Sequence, residues 1–459
     1  MTVFRELTDH PDDLAVLGEF YGTLYVSLFP DPDERESLEN MAGYLRLKAQ
    51  GWYGPNNYHI VLAFDGDRIT GAVVADYLAG PAAGVIEYLL VSPATRGQGV
   101  GRALLDRVEG LLARDAAGGG LELAGVVAEM NDPRAVSALT DTLDPVARAL
   151  VWHRYGYFGL DFPYRQPALS PGQAAVTGLI LICKPLSEAW RERVPASAVA
   201  LVVREYLRWA MRIEHPEDSA DYRAMAAYLS ARDDVGRLPL DNYVGHDASR
   251  PLDVHEVTGP DDKDFARTMA VYRKAFPPGP TAVGETEFRH AVTAGGFHLW
   301  ALRREPADPE PSGMASFYAL TATGLLGYVA LAAPLRGSGR FSALVARLEQ
   351  RLLADREEIR GWYAEVAPGT DPAPFTRVGC RELAVDYRQP SLGAGEDVPC
   401  RLFFKATGRV YEPPRLTHRD LLADLAEVLS SVYAVAEPGE HATLRRIAEA
   451  LTGDVVPLR

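Results

Sequence analysis

The chain is poor in cysteine and in basic residues, and each scarcity excludes a class of protein. Its 459 residues include three cysteines, Cys183, Cys380 and Cys400, which form no CxxC pair. They are too few for a disulfide framework, so we expect a cytoplasmic protein with no structural zinc and no other metal. Its 47 basic residues are outnumbered by 62 acidic ones, for a net charge of −15. This balance argues against nucleic-acid binding and favours cationic small molecules, or simply solubility.

Long apolar runs are also missing, which excludes membrane spanning. The longest apolar stretches, 174–183 and 196–203, are too short to cross a bilayer. The first residues lack the charged and apolar regions of a signal peptide, so no secretion is expected. With 47% apolar and 24% charged residues, the composition is typical of a soluble globular protein. The length indicates two or three domains.

The sequence repeats itself in tandem. Residues 88–99 resemble residues 328–339, which lie 240 positions further along the chain. The tetrapeptide Tyr-Arg-Gln-Pro at 164–167 recurs at 387–390. Between Glu129 and the first tetrapeptide there are 35 positions, but only 22 between Glu365 and the second. The second copy therefore lacks 13 residues, about the length of one helix, and we expect it to lack that helix.

Each copy alternates strand-like and helix-like stretches, and a pair of helices follows each copy. The fold class predicted is α/β with a mixed, mostly antiparallel sheet flanked by helices. The predicted elements of the first copy are strands at 3–7, 58–64, 69–78, 85–91, 123–129, 158–164 and 175–184, and helices up to residue 50 and at 102–113, 144–155, 194–213 and 220–231. The predicted domains are 1–186, an appended pair and linker at 187–248, a second domain at 249–409, and a second pair at 410–459.

A glycine-rich segment, Arg96-Gly97-Gln98-Gly99-Val100-Gly101, separates a buried strand from an amphipathic helix. Glycines let backbone amides approach a ligand closely, and a helix start favours anions, so the segment predicts a pyrophosphate cradle. The simpler interpretation is a tight strand–helix turn. The dinucleotide fingerprint fails because Arg102 and Leu104 stand where its third glycine is required, and no P-loop lysine follows.

Residues 85–105 resemble the acyl-CoA signature of the GNAT N-acetyltransferase superfamily, and the tandem arrangement resembles its two-domain members. The resemblance implies two GNAT-like domains and acetyl-CoA as co-substrate, bound where strands 85–91 and 123–129 splay apart. It also implies an acetyl-CoA-dependent N-acetyltransferase whose acceptor is a small amine. The implied cofactor-binding residues are the main chain of Leu89, Leu90 and Val91, the amides of Gly97 to Arg102 beside Arg96, and Asn131 at the pantetheine, unless Asn131 forms an ordinary turn before Pro133.

Acetyl transfer needs a neutral amine, so a base must remove a proton from the ammonium. Glu87 is the one charged residue of strand 85–91, and some relatives carry a carboxylate base at that place. A structural carboxylate held by a neighbouring group is the equal alternative. The family's usual acid is a tyrosine, whose place Trp152 takes here, which leaves His153 or Tyr155 as candidate acids. Either side chain could instead be an ordinary surface or packing residue.

The second copy departs from the signature. Gly327 stands in the place of Glu87 and Phe341 in the place of Gly101, so we expect a degenerate domain. Its Arg336, Gly337, Ser338 and Gly339 could still bind CoA. Glu129 and the repeated tetrapeptide survive in both copies, which favours a structural hydrogen-bond network at the strand end over catalysis. We also expect the two copies to pack on each other as a pseudo-dimer.

Two other functions stay open at this stage. The chain could be a non-catalytic acyl-CoA-binding or regulatory module, or an acetyltransferase acting on protein amines. A carboxylate at Glu87 favours an enzyme, because a binding module does not need one inside that strand. The acceptor itself is not identified by sequence, since its pocket comes from loops that vary freely on one fold.

Overall fold

A computed structural model shows two units, each built on one sheet. It describes residues 2–29, 35–137, 139, 143–167, 175–176, 178–241, 243, 252–279, 281–336, 339–391, 396–411 and 413–459. The first unit comprises Met1–Asp132 and Thr142–Leu240, and the second comprises Pro133–Asp141 and Asp241–Arg459. No helix in the described part of the chain is long and apolar enough to span a membrane.

The first unit contains a nine-stranded sheet in the order β1-β2-β3-β4-β5-β7-β6-β9-β8. Its strands pair antiparallel except for β4 and β5, which run parallel. The strands are β1 (Val3–Glu6), β2 (Asn57–Asp65), β3 (Arg68–Leu78), β4 (Ala83–Val91), β5 (Gly125–Asn131), β6 (Phe158–Asp161), β7 (Leu179–Pro185), β8 (Val194–Pro195) and β9 (Asp234–Leu238).

Helices cover both faces of this sheet. They are α1 (Pro11–Phe20), α2 (Val26–Leu28), α3 (Leu38–Ala49), α4 (Val100–Gly118), α5 (Pro145–Arg154), α6 (Glu188–Glu192), α7 (Ala196–Trp209) and α8 (Ala220–Ser230). The apolar spacing of α4 buries one stripe of the helix, which includes Leu104, Val108 and Leu112. On another face, α7 and α8 share one hydrophobic core with the sheet, through residues such as Val203 and Met225. The helical pair is therefore integral to the first unit's core.

The second unit repeats the plan with a seven-stranded sheet, β10-β11-β12-β13-β14-β18-β15, and a separate pair, β16-β17. Again one pairing, β13 with β14, is parallel. The strands are β10 (Asp253–Glu256), β11 (Phe297–Arg303), β12 (Gly313–Ala319), β13 (Thr323–Leu331), β14 (Gly361–Val366), β15 (Arg381–Glu382), β16 (Arg388–Gln389), β17 (Val398–Pro399) and β18 (Arg401–Ala406). The helices are α9 (Phe265–Ala275), α10 (Glu285–Ala291), α11 (Arg340–Asp355), α12 (Ala373–Arg377), α13 (His418–Ser431) and α14 (Ala442–Ala450).

Each sheet divides at its parallel pair. Pairing of β4 with β5 ends at Ile86 and Ala128, although β4 stays paired with β3 as far as Val91. Beyond Ala128, β5 pairs with β7 instead, up to Asn131. In the second unit the corresponding last pair is Leu326 with Ala364. The two halves of each sheet therefore separate along one line, which opens a cleft between the strands.

The predicted fold class is confirmed: both units are α/β, with a mixed, mostly antiparallel sheet flanked by helices. The predicted division into 1–186, 187–248, 249–409 and 410–459 stays a prediction. Sequence analysis missed β8 and β9, which extend the sheet past β6. The two residues of β8 lie at the start of the predicted helix 194–213, and β9 follows α8.

One expectation was wrong. The second copy does not lose the helix that follows the cleft, because α12 occupies that place with five residues, where α5 has ten. Both helices lead to a left-handed glycine, Gly156 at φ 90° and Gly379 at φ 96°. The missing residues are therefore taken from the connection before the helix and from the helix start. In both units this turn leads directly into a strand, β6 in the first and β15 in the second.

Candidate active site

The glycine-rich segment adopts the conformation that an anion cradle requires. Gly97 and Gly99 have φ values of 77° and 83°, in the left-handed region that residues with a side chain rarely adopt. A Cβ added at either glycine would meet no atom within 4 Å, so the space beside this backbone is open. Helix α4 begins directly after Gly99, and its first backbone bond runs from the Ala103 amide to the Gly99 carbonyl. The amides of the preceding turn therefore point out of the helix toward this space.

Other side chains predicted at the cradle lie on its rim. Arg96 and Gln98 are exposed, and the Gln98 amide donates to the Ala94 carbonyl at 3.2 Å. Arg102 is exposed and pairs with Asp106, with 2.9 Å between Nε and Oδ1. Their charges and donors are therefore available at the surface of the open space rather than inside the protein.

The cleft between β4 and β5 exposes backbone groups of β4. Leu89, Leu90 and Val91 pair with β3 on one side, but the described strands give them no partner on the side of β5. Unpaired backbone donors and acceptors of this kind are able to bind an extended chain such as pantetheine. Asn131 ends β5 on the opposite side of the cleft, where its backbone is paired with Leu179. The predicted main-chain and pantetheine contacts thus line one opening.

Glu87 lies where the cleft begins. It is the first residue after the last β4–β5 pair, and it is the extra residue of a β-bulge, because Val74 pairs with Tyr88 and Ala75 with Ile86. A bulge bends a strand and redirects a side chain, and bulges are frequent next to active sites. The side chain is half-buried. Sequence analysis located the carboxylate, and the structure adds a bulge at its position, beside the opening.

Asp76 on the neighbouring strand is a residue that sequence analysis missed. It is 2% exposed and faces the same side of the sheet as Glu87, since Asp76 pairs with Val85, two residues before Glu87. Burial raises the pKa of both carboxyl groups above their ordinary values, and for Glu87 the negative charge of Asp76 adds to this effect. The available signal was an aspartate within an otherwise apolar strand, Val73 to Leu78.

A cluster of aromatic rings holds one arginine, Arg212, whose charge lowers the pKa of both carboxyl groups. Arg212, which follows α7, lies over the rings of Tyr44 and Trp52 at 4.5 Å from each centroid, and over Tyr53 at 5.3 Å. It donates to the Tyr53 hydroxyl at 2.8 Å. Trp52 remains 46% exposed, which puts it at the edge of the cluster. Sequence analysis had no means of placing Arg212 beside Tyr53, which lies 159 positions away in the chain.

Tyr155 is the candidate acid that the structure brings to the cradle. A Cβ added to Gly101 would lie 2.9 Å from the Tyr155 hydroxyl and 3.3 Å from Val91, so this hydroxyl borders both α4 and β4. Burial raises the pKa of Tyr155, which keeps it protonated near neutral pH. His153 is exposed instead, and Trp152 is buried against Tyr157 at 4.7 Å between centroids. The geometry therefore favours Tyr155 over His153 as a proton donor.

Glu129 forms the hydrogen-bond network that its repetition suggested. Tyr164 and Tyr206 donate to its two oxygens, and burial raises the pKa of Glu129 to about 7 despite these bonds. The second unit has the same arrangement, in which Tyr387 and Tyr433 donate to Glu365. Since a unit that lacks Glu87 keeps this network, the network serves the fold.

A second repeated network was missed by sequence analysis. His59 is buried between Glu6 and Asp115, with distances of 2.8 Å from Nδ1 and 2.7 Å from Nε2. The second unit holds His298 between Glu256 and Asp355 at 2.9 Å and 2.8 Å. Burial alone would lower the pKa of each histidine, but the hydrogen bonds to both carboxylates outweigh burial and raise it. Each histidine therefore links the first strand of its unit, β1 or β10, to the C-terminal part of the helix that follows the glycine-rich turn, α4 or α11.

The second unit preserves the backbone of the site and replaces its side chains. Gly339 has φ 78° at the start of α11, as Gly99 has at α4, and Arg336 donates to the Leu331 carbonyl. Gly337 and Ser338, both predicted to bind CoA, lie outside the described residues. Phe341 packs on Phe375 of α12, with 5.4 Å between ring centroids. The turn after α12 has Val378 before Gly379, where the first unit has Tyr155 before Gly156.

One group of side chains in the second unit meets the distances of a metal site. His255, Asp262 and Asp264 each offer a ligand atom within 4.8 Å of the others. Asp264 also bonds Arg303 at 2.6 Å and lies 3.5 Å from Arg267. These arginines already neutralise the carboxylate, so the group is an ion-pair cluster at the start of α9. The prediction that the protein uses no metal stays a prediction.

Comparison with known families decides the interpretation of the first unit. Residues 19–136 match the family described as "Acetyltransferase (GNAT) family". The chain contains a GNAT acetyltransferase domain. The matched residues include the cleft, Glu87 and the glycine-rich cradle. Acetyl-CoA is the acyl donor of such an N-acetyltransferase, and the open space at Gly97 and Gly99 together with the free edge of β4 fits its pyrophosphate and pantetheine.

Solved structures similar to part of the chain have low identity to it. A putative GNAT-family acetyltransferase from Bacteroides thetaiotaomicron is 18% identical and covers 40% of this chain and 99% of its own, with a TM-score of 0.32. The ribosomal-protein-S18-alanine N-acetyltransferase from Escherichia coli is 15% identical over 41% of this chain and 95% of its own, with a TM-score of 0.27. A putative acetyltransferase from Salmonella typhimurium, solved with its cofactor acetyl-CoA, is 18% identical over 41% and 95%, with a TM-score of 0.28. No curated protein matches the chain.

Proposed function

We propose that the first unit transfers the acetyl group of acetyl-CoA to a primary amine of a small cationic molecule. The observation that carries this proposal is the position of Glu87, at a bulge and at the first unpaired residue of the cleft. A carboxylate there lies beside the unpaired edge of β4, which fits pantetheine. The net charge of −15 favours the approach of cations.

The reaction that these residues support is direct attack on the thioester. Glu87 accepts a proton from the ammonium group, directly or through a water molecule, which leaves a neutral amine. The amine nitrogen attacks the acetyl carbonyl carbon, the bond between carbon and sulfur breaks, and the nitrogen releases its remaining excess proton to water as the amide forms. The departing thiolate takes a proton, for which Tyr155 is the donor that the geometry favours. Because the pKa of Glu87 is raised by burial, its basicity is better matched to neutral pH than that of an exposed carboxylate.

The test is an acetyl-CoA-dependent screen of amines, with the release of free thiol as the readout. Polyamines, aminoglycosides and other small amines form one panel, and peptides with a free N-terminal amine or lysine form the other. We expect turnover with the small cationic panel. Turnover with peptides alone would replace the proposal by protein N-acetylation. Binding of acetyl-CoA without turnover of any amine would favour the non-catalytic acyl-CoA-binding or regulatory module.

A role for the second unit is part of the same proposal. It carries the left-handed turn at Gly339 but neither a carboxylate at Gly327 nor a hydroxyl at Val378, which supports CoA binding without catalysis. Calorimetry of the full chain with acetyl-CoA gives the number of sites. Two sites would support a second CoA-binding unit, and one site abolished by a change at Gly99 would contradict it.

Packing of the two repeats as a pseudo-dimer stays a proposal, supported by the duplication of both the sheets and their helical pairs. Expression of residues 1–245 tests it. An aggregating or dimeric fragment is expected, because a face that is normally covered would be exposed. A monodisperse, fully active monomer would contradict the proposal. That the protein is cytoplasmic likewise stays a prediction.

A further inference from the structure

The comparison of the two units identifies a set of three residues that changes together. At the place of Asp76, Glu87 and Arg212 the second unit has Tyr318, Gly327 and Ala434. The first two correspondences follow from the strand registers, since Asp76 pairs with Val85 as Tyr318 pairs with Leu325, and since the bulge at Glu87 recurs at Gly327. The third correspondence follows from the turn after α7 and the turn after α13, in which Arg212 and Ala434 have φ values of 56° and 55°.

The positions of Asp76 and Glu87 are adjacent in space. Asp76 pairs with Val85, two residues before Glu87 and on the same face of the sheet, and a hydrogen bond between the two carboxyl groups is among the causes that set the pKa of each. The first unit puts two carboxyl groups at these positions, and one oxygen of Asp76, Oδ2, is buried without a hydrogen bond in the described part of the protein. Two carboxylates held this close in a buried place repel each other strongly, so they share one proton.

Arg212 is a cation close enough to the pair for its charge to lower the pKa of both carboxyl groups. Its Nη2 donates to Tyr53, but its Nη1 is buried and makes no hydrogen bond with the described residues. A left-handed φ is uncommon for a residue with a side chain, yet both units have one here. The turn is therefore a feature of the shared fold, whereas the arginine is specific to the unit that carries the carboxyl pair.

We propose that Asp76 and Glu87 act as a single proton-accepting pair in amine deprotonation, and that Arg212 is the positioning residue that holds the pair at one negative charge. This proposal rests on the proposed function, in which Glu87 is the base. Glu87 is the member at the cleft, and Asp76 acts through it. The proton that leaves the ammonium goes to the pair, which becomes neutral, and the neutral amine then attacks.

Other ionisable groups face the pair from the elements packed around it. Glu36 precedes α3 and raises the pKa of Glu87, whereas His59 on β2 lowers that of Asp76. Glu36 is already bonded by Tyr44, at 3.0 Å, and His59 is held between two carboxylates of its own. The tyrosines whose pKa Glu87 raises are Tyr25, Tyr53, Tyr58, Tyr88 and Tyr206.

The experiment is an infrared pH titration of the full chain, which follows the carbonyl stretch of protonated carboxylic acids without any acceptor. Variants are Asp76→Asn, Glu87→Gln and Arg212→Met. We expect Asp76→Asn to lower the titration midpoint of Glu87, because a negative neighbour is removed. Arg212→Met is expected to raise the midpoint by about one pH unit, a tenfold change in the ionisation constant. For an amine found in the screen, the acid limb of the pH profile of turnover should shift in the same direction as this midpoint.

Controls separate this effect from general damage. Arg208→Met removes an equal charge from an exposed position on α7, four residues before Arg212, and should leave the midpoint unchanged. Glu129→Gln, Glu365→Gln and Asp424→Asn identify the signals of other carboxyl groups whose pKa is raised by burial, so that these signals can be separated from that of the pair. Acetyl-CoA affinity, measured by calorimetry, should stay constant in Asp76→Asn and Arg212→Met and shows that these variants fold.

The outcomes distinguish the two proposals. An unchanged Glu87 midpoint in both Asp76→Asn and Arg212→Met, with turnover lost in Glu87→Gln, would overturn the pair and leave Glu87 as a lone base. The expected infrared shifts in a protein whose Glu87→Gln variant keeps full turnover would overturn the proposed function, and with it the pair's part in catalysis. Shifts in both the infrared midpoint and the acid limb support the pair as the proton acceptor.

Discussion

At the residue that follows the last parallel pair of the sheet, the first unit has Glu87 and the second has Gly327. The same contrast recurs at the turn after α5 and α12, where the first unit has Tyr155 and the second has Val378. It recurs again at the turn after α7 and α13, where the first unit has Arg212 and the second has Ala434. In each case the backbone is the same and the ionisable side chain is missing from the second unit. The side chains that hold the fold together show the opposite behaviour.

The groups that both units keep are the Glu–Tyr–Tyr network and the histidine between two carboxylates. Both are buried polar groups whose partners satisfy them, so losing one partner would be costly. Repetition within one chain thus separates residues kept for stability from residues kept for chemistry. The predictions below test this separation.

The largest effect is expected for Glu87→Gln. Glutamine keeps the volume but cannot accept a proton, so turnover should fall about 10²–10⁴-fold while acetyl-CoA affinity changes little. Turnover of the amine found in the screen and calorimetry of the full chain measure the two quantities. The matched variant Gly327→Glu should not create activity, since Tyr155 and Arg212 have no counterparts there. Turnover within a few-fold of wild type at every pH would make Glu87 structural.

The second prediction concerns Gly99→Val. A β-branched residue at φ 83° is strained, and its side chain would occupy the open space that the pyrophosphate needs. Acetyl-CoA affinity should fall about ten- to a hundredfold, the equivalent of one or two lost bonds to a charged group. Gly339→Val carries the same strain at φ 78° and controls for stability. Unaltered affinity in a folded Gly99→Val protein would remove the cradle assignment.

The third prediction is equal destabilisation in both units from Tyr164→Phe and Tyr387→Phe. Each change removes one donor from a buried carboxyl group, which should lower the free energy of unfolding by about 1–3 kcal/mol. Denaturant titration of the full chain measures the losses, and turnover measured in parallel should change by less than about threefold in either variant. A large loss of turnover in Tyr164→Phe without a loss of stability would show that Glu129 belongs to the chemistry.

The smallest effect is a pH dependence of stability that both units share. The pKa of His59 and of His298 is raised above the ordinary value of 6.5, so the stabilisation is complete below that value and is lost as pH rises through the folded pKa. The pKa of Glu6 is lowered to about 2, because its bonds to His59 and Lys48 outweigh burial, so its contribution is lost toward strong acid. His59→Gln and His298→Gln should each remove part of the alkaline loss, measured by urea unfolding at several pH values. An unchanged alkaline limb in both variants would contradict the histidinium assignment.

Much of the fold was predictable because the strands and α4 have clear apolar periodicity and because the repeat supplied each pattern twice. Glu87 was predictable as a charge inside an apolar strand. Asp76 carried the same kind of signal but gained meaning only when strand register placed it beside Glu87. Arg212 and His59 were not predictable, because their partners are 159 and 53 positions away, as for Tyr53 and Glu6, and such contacts leave no local pattern.

In the two Glu–Tyr–Tyr networks, one tyrosine occupies the same position of the repeat and the other does not. Tyr164 corresponds to Tyr387, whereas Tyr206 and Tyr433 occupy different positions. The turn bond from Met211 to Tyr206 corresponds to the one from Tyr433 to Val428, so Tyr206 aligns with Val428 and Tyr433 with Met211. A position-by-position comparison of the repeats would therefore count both tyrosines as lost, although each repeat still delivers two hydroxyl groups to its glutamate. Both repeats keep the hydrogen bond to the glutamate. The tyrosine that donates it lies within α7 in the first unit and directly after α13 in the second. Ancient duplications of this kind are better recognised by shared contacts than by shared letters.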